Sequence, residues 1–97
     1  MIFKSVNETI TMINEQINLA LTELLKMNFG YADLSAICSF KNQSNERLFR
    51  YEYSIDDTLS NKKLRNLIST TISDHAIKNE CVVFHQANSI RIEKRII

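Results

Sequence analysis

The chain has no tryptophan, no proline, a single glycine and two cysteines in 97 residues. One glycine cannot build the Gly-rich loop that cradles phosphates, and neither a GxSxG elbow nor an HExxH helix occurs. These absences exclude the common mononucleotide-binding and hydrolase signatures. The longest unbroken apolar run is Cys81 to Phe84, far short of the roughly 20 residues a membrane helix needs. No bilayer span is expected. Residues 1–16 carry Glu8, Glu15 and several amides where a secretory leader would carry an apolar block, so the expected location is cytoplasmic. Charge of one sign is also lacking. Twelve basic residues face eleven acidic ones, so there is no global field to attract nucleic acid or an anionic membrane. The asymmetry between residues 1–40 and residues 41–97, net −2 against net +3, is slight.

Against these absences stand 44% hydrophobic and 24% charged residues, the balance of a globular chain and not of a disordered one. The length admits one domain over residues 1–97 and no second core. Thirteen isoleucines against three valines, with ten asparagines, resemble the bias of AT-rich coding found in many phage, plasmid and horizontally acquired bacterial genes. Without proline, turns fall to the polar clusters Lys41 to Asn45, Ser54 to Asn61 and Gln86 to Ser89, none long enough to be a linker.

Periodicity then divides the chain. From Ser5 to Asn28, Val6, Ile10, Ile13, Ile17, Ala20, Leu24 and Met27 recur at intervals of four and three, which predicts a helix with one apolar stripe. Leu21 and Leu25 widen that stripe, favouring packing on a sheet. Ser5 with Glu8 has capping-box spacing, and Gly30 can end the helix in the left-handed region. Two-residue alternation from Tyr31 to Lys41 (Leu34, Ala36, Cys38 and Phe40 against Asp33, Ser35, Ile37, Ser39 and Lys41) predicts a strand. A second alternation, Phe49, Tyr51, Tyr53 and Ile55 against Leu48, Arg50, Glu52 and Ser54, completes a hairpin. A second helix from about Ser60 to Lys78 follows from Leu64, Leu67, Ile68, Thr71, Ile72 and His75, with Leu59 and Leu64 as a hydrophobic staple. The tail, Cys81 to Gln86 and Ser89 to Ile97, reads either as a hairpin turning at Ala87 and Asn88 or as one bent strand. The expected fold is α+β, an antiparallel sheet of about four strands with two helices on one face, in the order αββαββ. If Met1 to Lys4 added an edge strand and the tail were single, the alternative would be a ferredoxin-like βαββαβ unit.

Candidate chemistry is sparse. Cys38, His75, Cys81 and His85 are zinc-ligand types, but Cys81 and His85 on one strand stand roughly 13 Å apart, too far for a shared ion. No metal and no cofactor is expected. The same four residues carry no local signature of a thiolate–imidazole pair. A Cys38–Cys81 disulfide requires neighbouring strands, and free thiols are the default in a reducing compartment. Asp56 and Asp57 precede the second helix, where acidic groups satisfy free amides. Glu93 and Lys94 match fragments of nuclease motifs, without an identifiable partner acid.

Function is therefore sought on the exterior. Two helices cover one sheet face, so the alternation leaves Arg50, Glu52, Arg91, Glu93 and Arg95 beside Ile37, Val82 and Phe84 on the other, a mixture typical of recognition surfaces. The expectation is a non-catalytic accessory protein that occupies a partner protein, in the style of a phage-encoded inhibitor or a toxin-neutralising immunity protein. Arg50, Glu52, Val82, Phe84, Arg91, Glu93 and Arg95 are its candidate partner-binding residues. The alternative is a nucleic-acid-binding regulator using Lys62, Lys63, Arg65 and Lys94. A homodimer is a further possibility, either through the stripe of the first helix with Ile96 and Ile97 or through strand-edge pairing along Ser89 to Ile97.

Overall fold

The computed structural model describes residues 6–30, 35 and 37–95, with side chains from residue 12 onward. Two helices, α1 (Val6–Phe29) and α2 (Lys62–Lys78), alternate with two strand pairs, β1 (Cys38–Asn42) with β2 (Leu48–Ile55) and β3 (Val82–His85) with β4 (Ser89–Arg95). Every pairing is antiparallel, and the strand order is β1-β2-β4-β3. The αββαββ order is thus as the periodicity predicts, and the tail is a hairpin turning at Ala87 and Asn88. The capping box at Ser5 and Glu8 and the extra strand at Met1 to Lys4 lie outside the residues and side chains described.

Both helices lie on one face and bury four-residue ridges. From α1 come Ile13, Ile17, Leu21 and Leu25, and from α2 come Leu64, Ile68, Ile72 and Ala76. This corrects the stripe expected for α1. A heptad pattern follows a supercoiled seam, whereas a straight helix laid on a twisted sheet presents an i, i+4 row. Leu21 and Leu25 are accordingly at the centre of the core, and Met27 is 83% exposed.

On the sheet, Phe49, Tyr51, Tyr53 and Ile55 of β2 with Ile90 and Ile92 of β4 face the helices and are buried, as their alternation predicts. Tyr53 brings its hydroxyl into this core and donates it to Asn14 Oδ1 of α1 at 3.0 Å, so the buried phenol is satisfied. Burial pushes its ionisation well above the ordinary tyrosine range. Phe40 shares this face but lies on the edge strand and is half-exposed, its ring tilted against Tyr51 and Tyr53 at 5.9 and 6.0 Å.

Ile37 departs from expectation. The strand starts only at Cys38, and Ile37 sits at the corner before it, buried, with its carbonyl accepting the Asp56 N–H at 2.9 Å. It is not part of an exposed apolar patch.

Helix ends follow local chemistry. Gly30, at φ +69°, takes the left-handed turn expected of it after α1. The N-cap of α2 is Asn61, whose Oδ1 accepts the Leu64 N–H at 3.1 Å. Asp56, expected to cap this helix, instead accepts the N–H and hydroxyl of Thr58 at 2.9 and 2.8 Å, bonds that hold its carboxyl below the usual range. At the other end of α2, Cys81 N–H returns to Ala76 O at 2.8 Å and Glu80 N–H to Ile77 O at 3.0 Å, with Glu80 at φ +63°. These bonds define a Schellman turn whose left-handed position holds a glutamate instead of glycine.

Candidate functional site

Pairing registers build the uncovered sheet face residue by residue. Because partners across an antiparallel ladder share a face, Lys41, Glu52, Arg91 and Phe84 form one row, and Arg50, Glu93 and Val82 the next. Leu48 and Arg95 make a further row, and Ser39, Ser54 and Ser89 close the opposite end. All seven candidate partner-binding residues therefore stand on a single face.

Long-range pairing creates contacts that local alternation does not reveal. Placing β4 beside β2 sets Glu93 between two guanidinium groups, with Arg50 Nε at 2.6 Å and Arg91 Nε at 3.1 Å from the same carboxylate oxygen. The Arg50 contact is an aligned hydrogen bond. The buried Arg91 Nε is near enough for an ion pair but not aligned for a hydrogen bond. Arg91 also lies over the Phe84 ring, 4.5 Å from its centroid. A continuous chain of contacts, Arg50–Glu93–Arg91–Phe84, thus crosses three strands. Ion pairs near the surface add about 0–1 kcal/mol of stability, and these are only partly exposed, so the chief consequence is that long side chains are held in place before anything binds.

The face is also polarised. Lys41, Arg50, Arg91 and Arg95 outnumber Glu52 and Glu93 over most of it. Its serine end opens into a groove of about 810 Å³ lined by Ser39, Ser54 and Ser89 and by the carboxylates Glu52, Asp56 and Asp57. Ser39, Ser54 and Ser89 were readable from alternation. Their convergence was not, because it depends on strand order.

The residues of the nucleic-acid alternative are placed differently. Lys62 and Lys63 are exposed at the start of α2. Arg65 is engaged in the fold, donating from Nη1 to the carbonyls of Asp56 and Leu59 at 2.9 and 3.1 Å and from Nη2 to Asn88 Oδ1. It ties the β2–α2 connection to the β3–β4 turn. Lys94 points to the helix-bearing face and donates to Asn79 O at 3.0 Å, beyond the C-terminal end of α2. A 17-residue helix is roughly 25 Å long, so Lys94 is a helix length away from Lys62 and Lys63. The structure does not gather these four into one patch.

The thiols and imidazoles are likewise dispersed. Cys38 lies on β1 and Cys81 immediately before β3, strands on opposite edges of the sheet, and both thiols are free. The neighbouring-strand condition for a disulfide is not met. Burial pushes Cys38 up to about 11, which leaves it protonated at neutral pH and a poor nucleophile. Burial raises Cys81 as well, partly opposed by Lys94. Among the described residues, no three His, Cys, Asp or Glu side chains are placed to hold a metal ion. No described helix is long and apolar enough to cross a membrane.

Comparison with protein-family models, curated proteins and solved structures returns no match to this chain.

Proposed function

We propose that the chain is a non-catalytic accessory protein that acts by occupying the surface of a partner protein with its uncovered sheet face. The inhibitor or immunity type of action expected from the sequence belongs to this reading. The observation that supports it is the chain of contacts Arg50–Glu93–Arg91–Phe84, which presents cations, a carboxylate and an aromatic ring in one fixed arrangement beside exposed Val82. Binding to such a surface loses less side-chain entropy than binding to mobile arginines. Its polarity, cationic over most of the face and acidic at the serine groove, suits a partner with the opposite pattern and would fix the partner's orientation.

The test is affinity capture from a lysate of the native host, with the wild type, an Arg50→Glu/Arg91→Glu variant and a Lys62→Glu/Lys63→Glu variant. A specific protein should be retained by the wild type and by the helix variant and lost by the face variant. Nuclease-sensitive retention that falls steeply with salt and disappears in the helix variant would replace this reading with nucleic-acid binding.

A further inference from the structure

The edge of the sheet offers a second surface, independent of what binds the open face. Of the two homodimer routes expected from the sequence, the part that rests on Ile96 and Ile97 lies outside the described residues. Ile13 and Ile17 of the α1 stripe are buried in the core, and β4 lies inside the sheet with β2 on one side and β3 on the other. The sheet has two edges, β1, which carries Lys41, and β3, which carries no charged residue.

Hydrogen-bond parity shows what that edge presents. Gln86 N–H donates to Ser89 O at 2.9 Å, so the alternation of an antiparallel ladder places the next bonded pairs at Phe84–Arg91 and Val82–Glu93. The backbone groups of Val83 and His85 therefore point away from β4, out of the sheet. The strand is Val-Val-Phe-His, with no charged residue and no proline, the devices that usually guard an edge. Val82 is 59% and Phe84 38% exposed.

We infer that β3 pairs with β3 of a second copy, antiparallel about a two-fold axis through Val83, to form a homodimer with an eight-stranded sheet. A two-fold axis perpendicular to the sheet keeps each side chain on its own face. With Val83 on the axis, Val82 stands opposite Phe84 of the other copy, and the two Val83 residues meet on the helix side. Val83 exchanges both backbone bonds with its equivalent. The His85 N–H reaches the Cys81 carbonyl across the axis, while Cys81 N–H stays on Ala76. Moving the axis to Phe84 would set Val82 against Gln86 and Val83 against His85, so the Val83 register is the one that matches apolar with apolar.

Charge and shape agree with a second copy as the occupant. A self-pairing edge must avoid like charges across the axis, and β3 itself carries none. Asn66 and Ser69 face the β3–β4 turn beside Arg65, whose guanidinium is taken up by Asp56, Leu59 and Asn88, with Ser73 one turn further on and exposed Ile77 at the rim. Because α2 packs over β3 and β4, pairing two β3 strands at about 4.8 Å brings the two α2 helices to about 10 Å, the ordinary helix-packing distance, through these small side chains. An interface of one short strand pair and a few small helix residues belongs to the small, transient class.

Sedimentation equilibrium from about 1 to about 500 µM tests this, since an associating chain changes mass with concentration. The wild type should pass from monomer to dimer mass across that range. Val83→Pro removes the outward N–H while leaving the β3–β4 bonds intact, and Val82→Lys places two lysines beside the axis. Each should remain monomeric at the highest concentration, with the far-UV circular dichroism of the wild-type monomer. Should Val83→Pro fail to fold, Val82→Lys decides the matter. A wild type that is monomeric throughout, or variants that dimerise as it does, would overturn the inference. Arg50→Glu, which alters the open face but not the edge, should dimerise normally whether or not the partner-binding reading holds.

Discussion

Replacing Glu80 by glycine should stabilise the protein. Glu80 ends α2 at φ +63°, where an L-residue with a β-carbon carries about 1–2 kcal/mol of strain. The position is fixed by the two returning bonds, Cys81 N–H to Ala76 O and Glu80 N–H to Ile77 O, so the strain is not relieved by a local shift. Glycine removes it and costs about 0.5–1 kcal/mol in unfolded-chain entropy. Deleting a carboxylate from the negative end of the helix returns about 0.3 kcal/mol or more. The balance is about 1 kcal/mol in favour of Glu80→Gly, or roughly 4–8 °C in Tm for a chain of this size. The assay is urea unfolding followed by circular dichroism and tyrosine fluorescence at one fixed protein concentration, because association contributes to apparent stability. Glu80→Ala separates the causes. It removes the charge and keeps the β-carbon, so it should gain no more than about 0.5 kcal/mol. If Glu80→Gly is no more stable than Glu80→Ala, the strain argument is wrong.

Arg65→Ala should cost about 2 kcal/mol in the same assay, because it strips a charged donor from the carbonyls of Asp56 and Leu59. Leu21→Ala should cost about 2–5 kcal/mol and Met27→Ala less than about 0.5 kcal/mol, so equal losses would contradict the four-residue ridge. The thiol of Cys38 predicts a pH dependence: its pKa rises from 9.0 to about 11 on folding, so the unfolded chain releases this proton first as pH increases. Stability should hold below pH 9 and decline above it, with Cys81, Tyr51 and Tyr53, also raised by burial, adding to the loss; Cys38→Ala should make the decline between pH 9 and 11 shallower, and a slope unchanged by the substitution would refute it.

The elements were legible because each is encoded by residues near one another in the chain. Phe49, Tyr51, Tyr53 and Ile55 alternate and are buried; Leu64, Ile68 and Ile72 recur helically and are buried. What local pattern cannot contain is the order of strands. Arg50 and Glu93 could each be assigned to the outer face, but their 2.6 Å contact exists only because β4 lies beside β2. The same gap explains Arg65 and Lys94. Both look like free cations in a run of basic residues, yet each is drawn to backbone carbonyls that the fold leaves at a loop or helix end. Ile37 failed for a different reason. Alternation predicts a face only while the chain stays extended, and β1 starts one residue later.

The open face and the β3 edge share Val82 and Phe84, and this overlap determines which substitutions carry information. A change at Phe84 removes the ring beneath Arg91, loosening the face, and also removes the residue opposite Val82 across the axis. Loss of partner binding in such a variant would leave the two surfaces confounded. Val83 and Arg50 separate them. The Val83 side chain points to the helix side and its backbone points outward, so Val83→Pro acts on the edge alone. Arg50 lies two strands inward and touches Glu93, so Arg50→Glu acts on the face alone. If partner capture survives Val83→Pro and fails with Arg50→Glu, the face works in a monomer. If both abolish it, the partner reads a surface that continues across the axis, and the dimer is the functional unit.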